Sequence, residues 1–276
     1  MTSEPGPDSR PTGEYDTAVA VERCGGDRWR GEVVAGWEVG TVTNGGYVMG
    51  IAVEAALDAL ELPDPLTLTC HFLTPSELGP IEITVERVRR GRRHGTAVVR
   101  LQQNDRDVLR LLATCTDLGR ASGPTRVMIS PPELPDRSTC PTLEEIGGFI
   151  SRPISEKISM RFHPAHVGFL TGNPNGHAKI AGWARFSDGR EPDVRALPVF
   201  SDCFPPSTVN LDLDIDRAPT LELTVQVRAR PASGWLRGTF RTEAVAGSYV
   251  VEDGELWDER GVLVAQSRQL ALVPGS

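Results

Sequence analysis

The sequence is nearly devoid of lysine: of 29 basic residues in 276, only Lys157 and Lys179 are not arginine. Acidic residues outnumber basic ones, and the net charge of −8 excludes the broad basic face of a general nucleic-acid binder. No apolar run approaches the ~20 residues of a transmembrane helix, so no membrane association is expected. The polar stretch from Met1 to Arg10 lacks the apolar centre of a signal peptide. Cys24, Cys70, Cys115, Cys140 and Cys203 are odd in number, scattered, and form no Cys-x-x-Cys pair. They read as reduced, structural thiols in a cytoplasmic protein. Three chemical signatures are also missing. There is no G-x-S-x-G elbow, no phosphate-cradling Walker A loop, and no G-x-G-x-x-G between a strand and a helix. His163 and His166 would point to opposite faces of a strand, and Pro164 disfavours a helix there, so no metal site is expected. No cofactor is expected either.

What the sequence does contain is the same unit twice. Leu66-Thr67-Leu68-Thr69-Cys70-His71-Phe72-Leu73-Thr74-Pro75 is echoed by Leu221-Glu222-Leu223-Thr224-Val225-Gln226-Val227-Arg228-Ala229-Arg230-Pro231, 155 positions later. A period this long marks a duplicated domain, because solenoid units repeat every ~20–50 residues. In the first copy, β-like runs at Thr17–Cys24 and Trp29–Gly40 precede a small-residue helix over Tyr47–Leu60. Strands follow at Leu66–Leu73, Ile81–Arg89, Ala97–Gln103 and Val108–Thr116, with a turn at Asn104-Asp105. The second copy repeats the order. It has strands at Ile154–Phe162 and Ala178–Phe186, and a mostly helical Asp193–Val209. Further strands follow at Leu221–Arg228, Trp235–Ala244, Glu255–Trp257 and Val262–Leu272. Such an order is α+β: each half is a curved antiparallel sheet wrapped around a long helix. The divisions are a flexible leader (1–14), a first unit (15–118), a Pro/Ser/Thr/Gly-rich linker (119–150) and a second unit (151–276).

Several motifs, in order along the chain, carry a family resemblance. In the second half they are Asp188-Gly189-Arg190, Pro192-Asp193-Val194-Arg195-Ala196-Leu197-Pro198, Phe200-Ser201-Asp202, Thr220-Leu221-Glu222-Leu223-Thr224 and Leu263-Val264-Ala265-Gln266-Ser267-Arg268-Gln269. In the first half they are Asn44-Gly45-Gly46-Tyr47-Val48 and His71-Phe72-Leu73-Thr74-Pro75. Together they resemble the acyl-CoA thioesterase II family over about residues 20 to 273. The resemblance implies a double hotdog fold and hydrolysis of acyl-CoA to a free acid and coenzyme A in lipid metabolism. It also implies a catalytic set of Asp202, Thr220 and Gln269 holding an attacking water. Thr69-Cys70-His71 and Val225-Gln226-Val227 depart from the better-known members and leave the acyl-chain preference open.

Such a set suits the chemistry. A thioester is activated enough for direct attack by water, given a base and an oxyanion site. Asp202 is expected to be the base, with Thr220 and Gln269 orienting the water; Thr224 competes with Thr220 for the hydroxyl role. Gly45, Gly46, Tyr47 and His71 are the candidate oxyanion or substrate-binding residues, since a helix N-terminus offers free N–H groups. Subtracting the repeat offset from Asp202 and Thr220 gives Tyr47 and Pro65, and Gln269 falls on Ala113 or Thr114. One site per chain is therefore expected. Arg89, Arg90, Arg92 and Arg93 are either a landing site for coenzyme A phosphates or a solvated hairpin tip. A homo-oligomer joined at sheet edges is expected. Two further readings remain open: a non-catalytic acyl-CoA or lipid-binding protein, and a dehydratase or hydratase built on His71.

Overall fold

The computed structural model describes residues 13–147, 153–211 and 219–273. In chain order, the first half contains α1 (Glu14–Ala18), β1 (Glu22–Gly25), β2 (Arg28–Val33), the short pair β3 (Glu38–Val39) and β4 (Val42–Thr43), and α2 (Gly45–Leu60). It continues with β5 (Asp64–Phe72), β6 (Gly79–Arg90), β7 (His94–Gln103) and β8 (Arg106–Thr116). The second half contains α3 (Ile154–Lys157), β9 (Ile158–Phe162), β10 (Lys179–Phe186) and α4 (Leu197–Asp202). It ends with β11 (Thr220–Val227), β12 (Leu236–Ala246), β13 (Tyr249–Trp257) and β14 (Leu263–Leu272). Twelve strands form one antiparallel sheet in the order β1-β2-β6-β7-β8-β5-β11-β14-β13-β12-β10-β9. Each half thus has the same strand order, and the halves join where β5 pairs with β11. Thr69 and Thr224 are partners in that pair, with their hydroxyl oxygens 3.0 Å apart. They are also 155 positions apart, so the two-fold axis relating the repeats passes between them. The fold is the expected double hotdog.

The first-half helix forms for local reasons. Asn44 caps it, its Oδ1 accepting the Tyr47 N–H at 2.9 Å. Ala52, Ala55, Ala56 and Ala59 are fully or nearly fully buried, because α2 is packed between the curved sheet and α4. Its first turn contains no acidic side chain, so the N-terminal N–H groups await a partner from elsewhere. The hairpin turn flagged at Asn104-Asp105 is present, with both residues at positive φ (50° and 60°) as a type I′ turn requires.

Several expectations are corrected. The long second-half helix does not form: α4 is six residues and is followed by a 3₁₀ turn at Ser207–Asn210. Pro205-Pro206 prevents continuation, since neither offers an N–H and each disfavours helix before it. Gly13 and Glu14, expected within a flexible leader, join the second half: the Glu14 N–H donates to Asp188 Oδ2 at 2.7 Å. Nearby, Arg190 binds Asp16 and Asp193 in a buried network that ties α1 to the strand-to-helix turn before α4. Residues 1–12 of the leader, and 148–150 of the linker, lie outside the described residues. His163 and His166 do not diverge on a strand; a 3₁₀ turn at Pro164–His166 stacks their rings 4.6 Å apart. Burial, with His163 and Lys179 nearby, pushes His166 down to about 4.

Candidate active site

The N-terminus of α2 meets the C-terminus of α4, and Asp202 stands at the junction. Its Oδ2 accepts the Gly46 N–H at 2.8 Å and the Asn44 Nδ2 at 3.0 Å. Asn44 Nδ2 also donates to the Asp202 main-chain carbonyl at 2.8 Å, so one side chain both caps α2 and clamps the acid. The charge missing from the first turn of α2 is therefore supplied by the other half of the molecule. Gly46 is dictated by this approach: a Cβ there would lie 2.4 Å from the Pro198 carbonyl oxygen. A Cβ on Gly45 would lie 2.9 Å from the Phe72 ring and 3.2 Å from Asp202 Oδ2.

Burial is the largest influence on Asp202 and raises its pKa from 3.8 to about 6, against the lowering effect of Gly46, Gly45 and Asn44. Among the described residues, the hydrogen bonds to this carboxylate go to Oδ2, leaving Oδ1 for another donor.

Strand register places a row of residues on the inner face: Thr242, Glu252, Gln269, Leu223, Cys70 and Leu111. Cys70, Leu111 and Leu223 are fully buried there. A bulge at Leu221 lets Thr220 pair with Ala271, whereas Glu222 pairs with Leu270. Without that extra residue Thr220 would share the outer face with Glu222 and Thr224. The bulge turns it inward, where Gln269 Nε2 donates to Thr220 Oγ1. Asp202 is near the same row: after burial, its charge is the next influence raising Cys70, and it also raises Glu252. Cys70 and Glu252 flank Leu223 and Gln269 in register, so the charge of Asp202 is felt at both ends of the stretch of row that includes the amide.

Other candidates are placed elsewhere. Thr224 faces outward, bonded to Thr69 and Glu222. His71 is exposed on the same outer face, between Glu222 and Arg110 in register, and is removed from the site. Tyr47 is a core residue: its ring stacks on Trp37 at 5.1 Å, and its hydroxyl serves Val34 N–H and the Ala18 carbonyl. The Gly46 N–H, expected to face a thioester oxygen, is occupied by Asp202. Arg89, Arg90, Arg92 and Arg93 lie at the β6–β7 hairpin by the C-terminal end of α2, where Arg90 pairs with Glu61. The 16-residue helix puts them about 24 Å from Asn44. Sequence reasoning missed the Asn44 side chain and Glu252. Asn44 was visible as an N-cap; Glu252 lies in the part of β13 that periodicity did not mark as strand.

The axis also shows why the other half cannot mirror this site. Register equates Gln269 with Ala113 and Glu252 with Ala97, and the offset equates Thr220 with Pro65. The bulge itself is duplicated, falling between Pro65 and Thr67, but it presents a ring with no hydroxyl. Among the described residues there is no group of three or more His, Cys, Asp or Glu suited to a metal, and no helix long and apolar enough to cross a membrane.

Comparisons agree with this architecture. The acyl-CoA thioesterase N-terminal domain matches residues 33–116 and the acyl-CoA thioesterase C-terminal domain matches residues 133–273. The crystal structure of a Thermobifida fusca YX protein assigned to thioesterase II is 30% identical, covers 95% of this chain and 97% of its own, and superposes with a TM-score of 0.85. An acyl-CoA thioesterase II from Mycobacterium marinum, 18% identical over 95% of this chain and 98% of its own, shares the fold with a TM-score of 0.75. An uncharacterized Mycobacterium tuberculosis (strain ATCC 25618 / H37Rv) protein is 26% identical, covering 94% of this chain and 98% of its own length. Two thioesterase domains in tandem, matched across most of its length, make this chain a member of the acyl-CoA thioesterase family.

Proposed function

We propose that the protein hydrolyses acyl-CoA thioesters, with Asp202 as the general base and Thr220 and Gln269 as the groups that orient the attacking water. The observation that carries this reading is the state of Asp202. Its Oδ2 is fixed by the start of α2, its Oδ1 is uncommitted among the described residues, and burial raises its pKa to about 6. A base should be mostly ionised near neutral pH yet still basic enough to accept a proton, and a value near 6 meets both needs.

In the proposed reaction, Asp202 Oδ1 takes a proton from water as the oxygen attacks the thioester carbon. Thr220 retains its hydroxyl hydrogen and Gln269 a second amide hydrogen, since their mutual bond uses only one amide hydrogen. The second amide hydrogen donates to one lone pair of the water and Thr220 Oγ1 accepts the water's other hydrogen, so the remaining lone pair is aimed at the carbon. The Gly45 N–H interacts with the Asp202 carboxylate less directly than the Gly46 N–H does, and we assign it to the carbonyl oxygen as negative charge develops. Collapse of the intermediate breaks the C–S bond, and the proton held by Asp202 passes to the departing coenzyme A thiolate, which restores the carboxylate. Thiol release measured across short to long acyl-CoAs tests the proposal. Turnover by the wild type with its loss in Asp202→Asn supports it; acyl-CoA binding without release of thiol refutes it.

A further inference from the structure

Glu252 is a second carboxyl group on the inner face, and the proposed reaction does not use it. It lies on β13 directly opposite Gln269 on β14, with Thr242 of β12 on its other side. Its Oε2 accepts the main-chain N–H of Ser207, a fully buried residue just beyond Pro205-Pro206, whose hydroxyl reaches Thr242 Oγ1 at 3.0 Å. Glu252 therefore anchors the chain that leaves α4 five residues after Asp202, and it does so at the strand position beside Gln269.

The amide of Gln269 has two ends and β14 has two neighbours. Its Nε2 leans toward β11 and donates to Thr220. A planar amide with nitrogen on the β11 side directs Oε1 away from it, toward β13, where cross-strand Cβ atoms stand ~4.5–5.5 Å apart. The group waiting there is Glu252. An ionised carboxylate beside that oxygen would repel it and attract the amide nitrogen, which would turn the amide over, so that Thr220 donated to Oε1 and no amide hydrogen remained for the water. A neutral carboxylic acid would donate to the oxygen and hold the observed orientation.

We propose that Glu252 is a positioning residue that remains protonated in the working enzyme and donates its hydrogen to Gln269 Oε1, thereby fixing the amide nitrogen toward Thr220 and the water. The charge distribution supports this assignment. Burial is the first influence raising the Glu252 pKa, with Asp202 of α4 and Asp253 of β13 adding to it and Ser207 opposing it. Two nearby carboxyls share one negative charge more readily than two. The N-terminus of α2 and Asn44 favour placing that charge on Asp202. No transfer of the Glu252 proton occurs in the cycle.

This inference rests on the thioesterase reading, and the test separates the two. Glu252→Gln preserves a neutral hydrogen donor, whereas Glu252→Ala removes it. The expected result is near-wild-type kcat in Glu252→Gln and a loss of at least about tenfold in Glu252→Ala with little change in KM. The wild-type pH profile should also lose rate at high pH as Glu252 ionises, and that limb should vanish in Glu252→Gln. Equal losses in both variants, a wild-type rate in Glu252→Ala, or a high-pH limb that persists in Glu252→Gln would overturn it. An infrared carbonyl band of a protonated carboxylic acid at neutral pH, lost in Glu252→Gln, reads the proton without turnover. Absence of that band also overturns it. Wild-type inactivity with the band present would instead count against the thioesterase reading alone.

Discussion

Replacing Asp202 with asparagine should make the protein more stable and nearly inactive, and the size of the first effect follows from the site. Asparagine has the shape of the protonated acid, so it avoids the cost of holding a buried negative charge. A carboxyl whose pKa is 3.8 unfolded and about 6 folded releases its proton more readily when unfolded. Below about pH 4 both states hold the proton and the native state loses nothing. As pH rises through 6, the ionised group costs the native state up to about 3 kcal/mol, at 1.36 kcal/mol for each tenfold change in proton affinity. Asp202 is half-buried as a residue, and solvent screening reduces this to about 2 kcal/mol, equivalent to roughly 4–8 °C in Tm for a chain of this size. Thermal melts of both proteins between about pH 4 and pH 8 measure it: the Tm difference should be small at the acid end, grow through about pH 5–6 and level off. Thiol release by the same variant should fall by ~10²–10⁴, the usual contribution of a general base. A destabilised variant, or a Tm difference that ignores pH, would refute the electrostatic reasoning. A stabilised variant with full activity would reduce Asp202 to a cap on the partner helix.

Other perturbations separate the remaining roles. Thr220→Ala and Gln269→Ala should each lower kcat by ~10–10³ with little effect on KM, as loss of a donor made for the transition state does. Wild-type kcat/KM should fall on acidification with an apparent pKa near 6. Asn44→Ala should lower stability by about 1 kcal/mol through the lost cap. It should also move the acid limb of the pH profile upward, because Asn44 opposes the raised pKa of Asp202. Gly46→Ala should cost stability toward the upper end of ~1–3 kcal/mol, since its methyl meets the Pro198 carbonyl, and should displace Asp202. Arg89→Ala, Arg92→Ala, Arg93→Ala and His71→Ala should leave kcat and KM unchanged in steady-state assays.

Much of the fold was legible because duplication and periodicity are local properties. The offset between Leu66 and Leu221 located the two-fold axis in effect, since Thr69 and Thr224 obey it and face one another across β5 and β11. The alanine-rich run in α2 announced a helix buried against a sheet. Asp202, Thr220 and Gln269 were legible only through family motifs, because no rule of spacing relates a helix end to two strands. What remained hidden depends on tertiary geometry. His71 and Phe72 are adjacent in sequence, yet strand alternation sends one outward and the other against Gly45. Which of Thr220 and Thr224 faces Gln269 depends on a single bulged residue, Leu221, which sequence pattern does not reveal.

The duplication also explains how an asymmetric site can arise from a symmetric scaffold. Both halves keep the bulge at the start of the axial strand, at Leu66 and Leu221, so both retain the backbone device that turns a side chain inward. Only the second half places a hydroxyl before the bulge and an amide and an acid beyond it; the first half fills those places with Pro65, Ala113 and Ala97. In exchange, the first half keeps a full-length α2, whose first turn carries no acidic side chain of its own. The second half cuts its helix short at Pro205-Pro206, which leaves Asp202 at a helix end where its carboxylate can reach across. A carboxylate at the C-terminal end of its own helix is disfavoured by that helix and favoured by the one it faces. Each half therefore lacks what the other provides, and the acid is held at the seam because only there are both conditions met.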